Sequence, residues 1–334
     1  MEKHEKWSAA GILEVSGYYW KSAALHAAVV LDVFSILGTG QMTAREVSEN
    51  CRADSDGMER LLDALAAMGL VSKSGNTYEN TDSAARWLDS SSEDYLGHII
   101  SHHHHLVSAW ASLDRAVVTG KKVRTRGPHE DENQRESFLM GMHNLARLTA
   151  PQAAKAVDLS GCSTLLDLGG GPGTFAIYFC LQYPGLRATV ADLPATRPFA
   201  ERNIASHGLS DRISFAELDH TANEIQGPYD AAWLSHVLHG EGPQHCSRLL
   251  EKAVSALVQG GKIIIHDFIL DNNRDSPLFP ALFSLNMLVN TDSGRAYSEK
   301  EITGMLEAAG AGRARRIDFQ GPNDSAIIEA TAGN

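Results

Sequence analysis

Asp167, Gly169, Gly171 and Gly173 stand together in Leu165-Leu166-Asp167-Leu168-Gly169-Gly170-Gly171-Pro172-Gly173-Thr174-Phe175. An apolar run carrying one acid meets a glycine cluster, and a helical pattern opens at Thr174. This reads as strand, tight turn, helix. Glycine lets the backbone turn sharply and lets a ligand come close to the main chain. The helix start adds free N–H groups beside that ligand. Dinucleotides and S-adenosylmethionine (SAM) both use such turns. The spacing here is G-x-G-x-G, whereas the dinucleotide pattern asks for Gly or Ala where Thr174 stands. A carboxylate at Asp167 would repel a pyrophosphate and suit a sulfonium amino acid. The residues therefore favour SAM over NAD.

Further candidates follow at the ends of apolar runs. Asp192 closes Ala188-Thr189-Val190-Ala191, where an acid can cap a ribose diol, with Leu193 beside it. Asp219, followed by His220, is placed to accept from an adenine amino group. Ser235, His236 and His239 follow Asp230-Ala231-Ala232-Trp233-Leu234, and Asp267 ends Lys262-Ile263-Ile264-Ile265-His266. A histidine there can take a proton from a hydroxyl near neutral pH. A nearby carboxylate would orient it and stabilise the imidazolium. Of 15 histidines, most must be structural or solvated. His102-His103-His104-His105 cannot all ligate one ion on a helix, because successive side chains point about 100° apart. Only His102 and His105 could share a face. No acidic metal cluster is evident, and no metal is expected.

These candidates need a scaffold that brings strand ends together. From Ser163 onward the pattern alternates strand and helix. Strands are predicted at 163–168, 187–192, 212–217, 229–235, 261–268, 313–319 and 325–330, with a helix at 244–258. Such alternation implies an α/β, doubly wound, seven-stranded sheet. Ligands gather at the carboxyl ends of its strands. The first half is helical instead. Residues 18–37 form a broad apolar helix, Thr43-Ala44-Arg45-Glu46 has the form of a capping box, and Leu61, Leu62, Leu65 and Met68 line a helix from about Ser55 to Gly69. Leu70–Tyr78 reads as a hairpin with a Gly-Asn turn. Helix, helix, hairpin is a winged helix. Residues 95–118 and 137–157 are also helical in pattern, and the polar stretch 121–136 reads as a loop.

Charge limits the partners. Between Thr43 and Asn80 four basic residues face seven acidic ones, a net of −3, where phosphate contact needs a positive face. The whole chain carries −12, which disfavours nucleic acid and anionic membrane surfaces. No apolar run is long enough to span a membrane, and Met1–Lys6 has no signal-peptide character. Four scattered cysteines without a CxxC fit a reducing compartment, so a cytoplasmic location is expected.

With these residues in hand, the chain resembles the small-molecule SAM-dependent O-methyltransferases of the hydroxyindole/caffeic-acid type, bacterial members included. Leu166–Gly173 is similar to their SAM loop. Asp192 and Asp219 match their ribose and adenine acids, and Val237-Leu238-His239 matches the start of their Leu-His-Asp-Trp motif. Gly240-Glu241 replaces the Asp-Trp, Ala296 stands where a second family acid would fall, and Ser235 replaces the usual Lys or Arg. The resemblance implies a winged-helix dimerisation domain at 1–90, a helical region at 91–155 contributing to the substrate pocket, and a Rossmann-like SAM-binding domain at 156–334. It also implies a homodimer and a small-molecule acceptor. His239 would be the general base and Asp267 its partner. Asp167, Gly169, Gly171, Gly173, Asp192, Leu193, Asp219, His220 and Ser235 would hold the cofactor. Phe138, Met142, His236, Phe283, Met287 and Leu288 would wall an aromatic acceptor, with plain core packing as the alternative for each apolar one. The alternatives to O-methylation are N- or C-methylation on the same scaffold and a catalytically silent SAM-binding regulator.

Overall fold

A computed structural model describes residues 7–125 and 132–333, and of residues 132 and 133 only the backbone. It divides into two compact units, the break falling between His105 and Leu106, inside the 91–155 segment.

The first unit is built on helices Tyr19–Val30, Val33–Leu37, Ala44–Cys51, Ser55–Ala67 and Asp82–Leu88. Strands β1 (Met42–Thr43), β2 (Val71–Ser74) and β3 (Thr77–Asn80) form a small antiparallel sheet in the order β1-β3-β2. The helix–helix–hairpin succession is present, and Gly75 takes the left-handed turn position at φ +59°. The capping box forms: Thr43 Oγ1 accepts from Glu46 N–H while the Thr43 N–H donates to the Glu46 carboxylate at 2.7 Å. The single helix expected over 18–37 is instead broken at Asp32, whose backbone is left-handed at φ +56°. The break lets Val33, Phe34 and Leu37 turn into this unit's own core with Val47, Leu62, Leu65 and Tyr78. Tyr19 and Trp20 remain exposed, at 66% and 69%. The helix expected over 95–118 is likewise two, Gly97–Trp110 and Leu113–Thr119.

The second unit holds a seven-stranded sheet. Its strands are β4 (Thr164–Leu168), β5 (Arg187–Asp192), β6 (Ile213–Glu217), β7 (Tyr229–Ser235), β8 (Leu257–Phe268), β9 (Arg315–Arg316) and β10 (Ser325–Thr331). Their order is β6-β5-β4-β7-β8-β10-β9, with β4 to β8 parallel and β10 antiparallel to both its neighbours. Alternate residues feed two cores. Leu165, Val190, Trp233 and Ile264 pack on one face with helices Glu132–Ala156, Thr174–Gln182 and Arg197–Ser206. Leu166, Leu168, Leu234 and Ile265 pack on the other with Pro243–Ser255 and Glu299–Ala308. Three expected boundaries move. The helix of 244–258 ends at Ser255 because β8 already begins at Leu257, and the strand of 313–319 shrinks to Arg315–Arg316. The loop expected over 121–136 ends sooner, with the helix running from Glu132; residues 126–131 lie outside the described ones.

The chain leaves β4 toward β5 on one side and returns to β7 on the other. The loops after β4 and β7 therefore diverge at a switch point, where doubly wound sheets open a crevice for ligands.

Candidate active site

The loop after β4 is shaped by its glycines. Gly169, Gly171 and Gly173 have φ of +68°, +54° and +73°, a region that costs other residues dearly. At Gly169 a Cβ would also lie 2.7 Å from Val237 Cγ2, so this glycine lets the β4 loop pass the β7 loop. Gly170 packs directly over Asp167: a Cβ there would stand 2.6 Å from the Asp167 carboxyl carbon. Gly171 N–H donates to Asp192 Oδ2 at 2.8 Å, tying the loop to the end of β5. The same carboxylate accepts from Leu193 N–H and Thr196 Oγ1. On the outer side, Asn203 donates to the Pro172 carbonyl at 2.8 Å, and His143 Nδ1 meets Thr174 Oγ1 at 2.9 Å. Neither Asn203 nor His143 was among the sequence candidates.

Asp167 is fully buried. Its Oδ2 accepts from Ala176 N–H at 3.2 Å, and its Oδ1 has no hydrogen-bond partner. Burial pushes its pKa up to about 7; the Ala176 N–H pulls the other way and the Asp192 charge adds to the rise. An orphaned carboxylate oxygen beneath a glycine loop suits the positively charged end of SAM. The glycine loop, the bonded Asp192 and this oxygen therefore fit that cofactor. Asp219 sits at the neighbouring strand end, but its Oδ1 accepts from Thr221 N–H and Oγ1, which hold it ionised. His220 Nε2 lies 3.8 Å from Glu241, the residue at the family's tryptophan position. Ser235 is tied inward: its Oγ meets His266 Nδ1 at 2.8 Å, and His266 Nε2 meets Ser325 Oγ at 3.0 Å. His266 is buried against Trp233, and burial keeps it neutral by lowering its pKa well below the usual histidine value.

After β7, the short turn Leu238–Gly240 presents His239. The Arg295 N–H donates to the His239 carbonyl at 2.8 Å and holds the turn from below. His239 Nδ1 lies 2.7 Å from Asp267 Oδ1, and the His239 N–H reaches Asp267 Oδ2 at 3.3 Å. Asp267 Oδ1 also accepts from Phe268 N–H at 2.8 Å. Burial works to raise the Asp267 pKa, but His239 and His236 outweigh it and hold the carboxyl well below the usual carboxylate range. His236 Nδ1 stands 3.5 Å from the same oxygen. These three ligand-type atoms lie within 4.8 Å of one another, yet the 2.7 Å contact is a hydrogen-bond distance, so the cluster reads as a bonded carboxylate rather than an ion's ligand set.

Aromatic rings cover this cluster. The Phe283 ring meets His239 edge-on at 4.8 Å, and Phe268 touches His236, Phe279 and Phe283. Phe268 and Phe279 went unnoticed in the sequence, although Phe279 stands four residues before Phe283 on one helix. Met287 is buried one turn further along, and Phe138 and Met142 are half-buried on helix Glu132–Ala156. Ala296, where the second acid would fall, is a buried methyl at 1% exposure.

Comparisons with known proteins agree with this geometry. The profile of the O-methyltransferase domain matches residues 117–312, and that of the O-methyltransferase dimerisation domain matches residues 13–90. The 3-hydroxy-5-methyl-1-naphthoate 3-O-methyltransferase of Streptomyces sahachiroi is 33% identical over 315 residues, 92% of this chain and 91% of that protein. The tetracenomycin polyketide synthesis 8-O-methyl transferase of Streptomyces glaucescens is 32% identical over 323 residues, 95% of each. The crystal structure of human N-acetylserotonin methyltransferase in complex with SAM superimposes with a TM-score of 0.88 at 26% identity, covering all of both chains. The chain belongs to the O-methyltransferase family and is a SAM-dependent O-methyltransferase.

Proposed function

We propose that this enzyme methylates a hydroxyl on an aromatic small molecule, with His239 as the general base. The observation that carries this is the 2.7 Å contact between His239 Nδ1 and Asp267 Oδ1 beneath the Phe268, Phe279 and Phe283 rings. With Nδ1–H committed to the carboxylate, Nε2 is left as the proton acceptor. A phenol is mostly protonated at neutral pH, since a tyrosine-like hydroxyl has a pKa of about 10. His239 takes that proton as the oxygen becomes nucleophilic, and Asp267 stabilises the imidazolium. SAM, when bound, supplies a methyl group on a positively charged sulfur. Asp167, Asp192, Asp219 and the 169–173 loop hold it, with Leu193, His220 and Ser235 nearby. Phe138, Met142, His236, Phe283 and Met287 wall the acceptor. The hydroxylated naphthoate in the name of the Streptomyces sahachiroi relative supports this substrate class.

Incubation with labelled SAM and a panel of phenols, indoles and aromatic polyketides would identify the acceptor. With an accepted phenol, His239→Ala should lower turnover by about 10²-fold or more and leave SAM affinity unchanged. Asp267→Ala should cost less, because Asp267 orients and stabilises. Full turnover by His239→Ala at neutral pH would rule out the base.

We also propose that the enzyme works as a homodimer through its N-terminal unit. Helix Ala9–Gly17 buries none of its residues, and Ile12, Leu13, Tyr19 and Trp20 are each more than half exposed. Apolar surface of this kind on one unit marks an interface. The match to a dimerisation domain over 13–90 supports the same reading. Among the described residues no helix is long and apolar enough to cross a membrane. A cytoplasmic location fits four free thiols.

A further inference from the structure

His239 and His236 both turn Nδ1 toward one carboxylate oxygen. The distances to Asp267 Oδ1 are 2.7 Å and 3.5 Å, and the ring centroids stand 5.7 Å apart. His236 reaches this place through a left-handed backbone, φ +58°, where few residues other than glycine sit. Its N–H donates to the His266 carbonyl at 2.8 Å and holds that backbone at the end of β7. Backbone strain of this kind, retained inside a site, points to a use for the side chain it aims. The ring is fixed by Phe268 at 4.4 Å and His266 at 4.6 Å. A proton on its Nδ1 faces the negative oxygen of Asp267, whereas the other tautomer would turn a lone pair toward that oxygen. The lone pair of neutral His236 therefore lies on Nε2. Nδ1 is buried, so the 27% of the side chain left exposed belongs to the rest of the ring. His266 offers no such lone pair, because its two nitrogens are bonded to the Ser235 and Ser325 hydroxyls.

We propose that His236 is a specificity-determining residue whose Nε2 accepts a hydrogen bond from a second hydroxyl of the acceptor, so that the site prefers aromatic molecules with two neighbouring hydroxyls to simple phenols. This rests on the reading of His239 as the base for an aromatic hydroxyl. One carboxylate fixes both rings, so two proton-accepting nitrogens stand side by side against Phe268 and Phe283. The ring separation is short enough for two oxygens on adjacent carbons of one aromatic ring to reach one nitrogen each. One hydroxyl is the group whose proton His239 takes. The other keeps its proton, donates to His236 and sets the orientation of the acceptor. An ether or carbonyl oxygen in that second position has no proton to donate and gains nothing from His236.

The test measures the binding of 2,3-dihydroxynaphthalene and of 2-naphthol to the full chain loaded with S-adenosylhomocysteine, by titration calorimetry, so that no turnover is needed. In the wild type the diol should bind about tenfold more tightly, of which about twofold comes from its two equivalent hydroxyls and the rest from the second hydrogen bond. His236→Asn tolerates the left-handed backbone, keeps an amide where Nδ1 stood and removes Nε2. In this variant the ratio should fall to about twofold. His236→Gln places an amide oxygen where Nε2 stood and should keep more of the preference. Taking the ratio within each protein cancels a general loss of binding, which is all that a merely structural role would produce. A wild-type ratio of about twofold, or an unchanged ratio in His236→Asn, overturns the proposal. Turnover of an accepted phenol by His239→Ala separates the two readings. An inactive His239→Ala beside an unchanged ratio in His236→Asn removes only the role of His236. Full turnover by His239→Ala, or failure of both naphthalenes to bind, removes the reading of the site and this proposal with it.

Discussion

Asp167→Asn should stabilise the protein at alkaline pH while weakening SAM binding. Asp167 is completely buried, with one N–H on one oxygen and nothing on the other, and its pKa is pushed up to about 7. The ordinary value is 3.8, so ionising the side chain in the folded protein costs about 4 kcal/mol. The sign follows from linkage. The folded state holds a proton that the unfolded chain releases near pH 4. Stability from this group is therefore complete below pH 4 and lost progressively as pH rises to about 7, then stays lost. Asparagine cannot ionise and removes the penalty. The difference in melting temperature, variant minus wild type, should climb by several degrees between pH 4.5 and 8. Taking the difference cancels every other titrating group the two proteins share. A difference that stays flat across this range would refute the buried-charge reasoning.

The same carboxylate should reveal itself in binding. A positively charged ligand end near Oδ1 favours the ionised form. Wild-type affinity for S-adenosylhomocysteine, which keeps the ammonium group, should rise from pH 5.5 to 7.5 with release of up to one proton. Calorimetry in two buffers of different ionisation enthalpy measures that release. In Asp167→Asn the affinity should be lower at pH 8 and independent of pH. The pair of outcomes places a stability cost and a binding gain on one side chain, the kind of trade-off that active sites carry.

Three other outcomes are expected. Gly169→Ala must hold φ +68° and bring a Cβ to 2.7 Å from Val237 Cγ2, so it should destabilise by at least about 1–2 kcal/mol; an unchanged melt would contradict the loop geometry. SAM at about 100 times its dissociation constant should raise the melting temperature by a few degrees, NAD should not, and Asp192→Ala should abolish most of the shift because Gly171, Leu193 and Thr196 lose their common acceptor. Sedimentation should give about twice the 36.1 kDa chain mass, and Trp20→Glu should move it toward one chain mass; a wild-type species at 36.1 kDa would contradict the homodimer.

The parts of the site legible in the sequence are those set within a few residues of chain. The Asp167–Gly173 loop is such a case, because the acid, the glycines and the helix start are consecutive and each glycine's positive φ is a local demand. Strand ends are nearly as readable: apolar runs of strand length delivered Asp192, His239 and Asp267 to one edge of the sheet. The partnership of Ser235 across the strands was not readable. Ser235 was expected at the cofactor, but its hydroxyl is bonded to His266, 31 positions away, which is bonded in turn to Ser325, 59 further on. Nothing in the local pattern distinguishes such a histidine from any other on a buried strand. The helix over 18–37 misled for a related reason. Its apolar residues satisfy a helical period throughout, and only the left-handed Asp32, stabilised by what Phe34 and Leu37 gain in the core, breaks it.

The departures from the family pattern gain sense when charges are counted around His239. The family pattern named above has a second acid besides the one at Asp267. Here the second acid's position is Ala296, whose methyl is buried and whose N–H donates to Ser284 Oγ at 3.3 Å. A carboxylate there would be stranded away from water, and a buried charge without a partner is strongly disfavoured. The one remaining acid, Asp267, is instead faced by two imidazoles. On the proposed role of His239, the imidazolium formed there meets one carboxylate rather than two. On that role, a base with a single carboxylate partner suits an acceptor whose hydroxyl is acidic, as a phenol conjugated to a carbonyl is. Acceptors whose hydroxyl is only weakly acidic should accordingly be methylated slowly by this enzyme; equal rates for a simple phenol and for one conjugated to a carbonyl would contradict the proposed base.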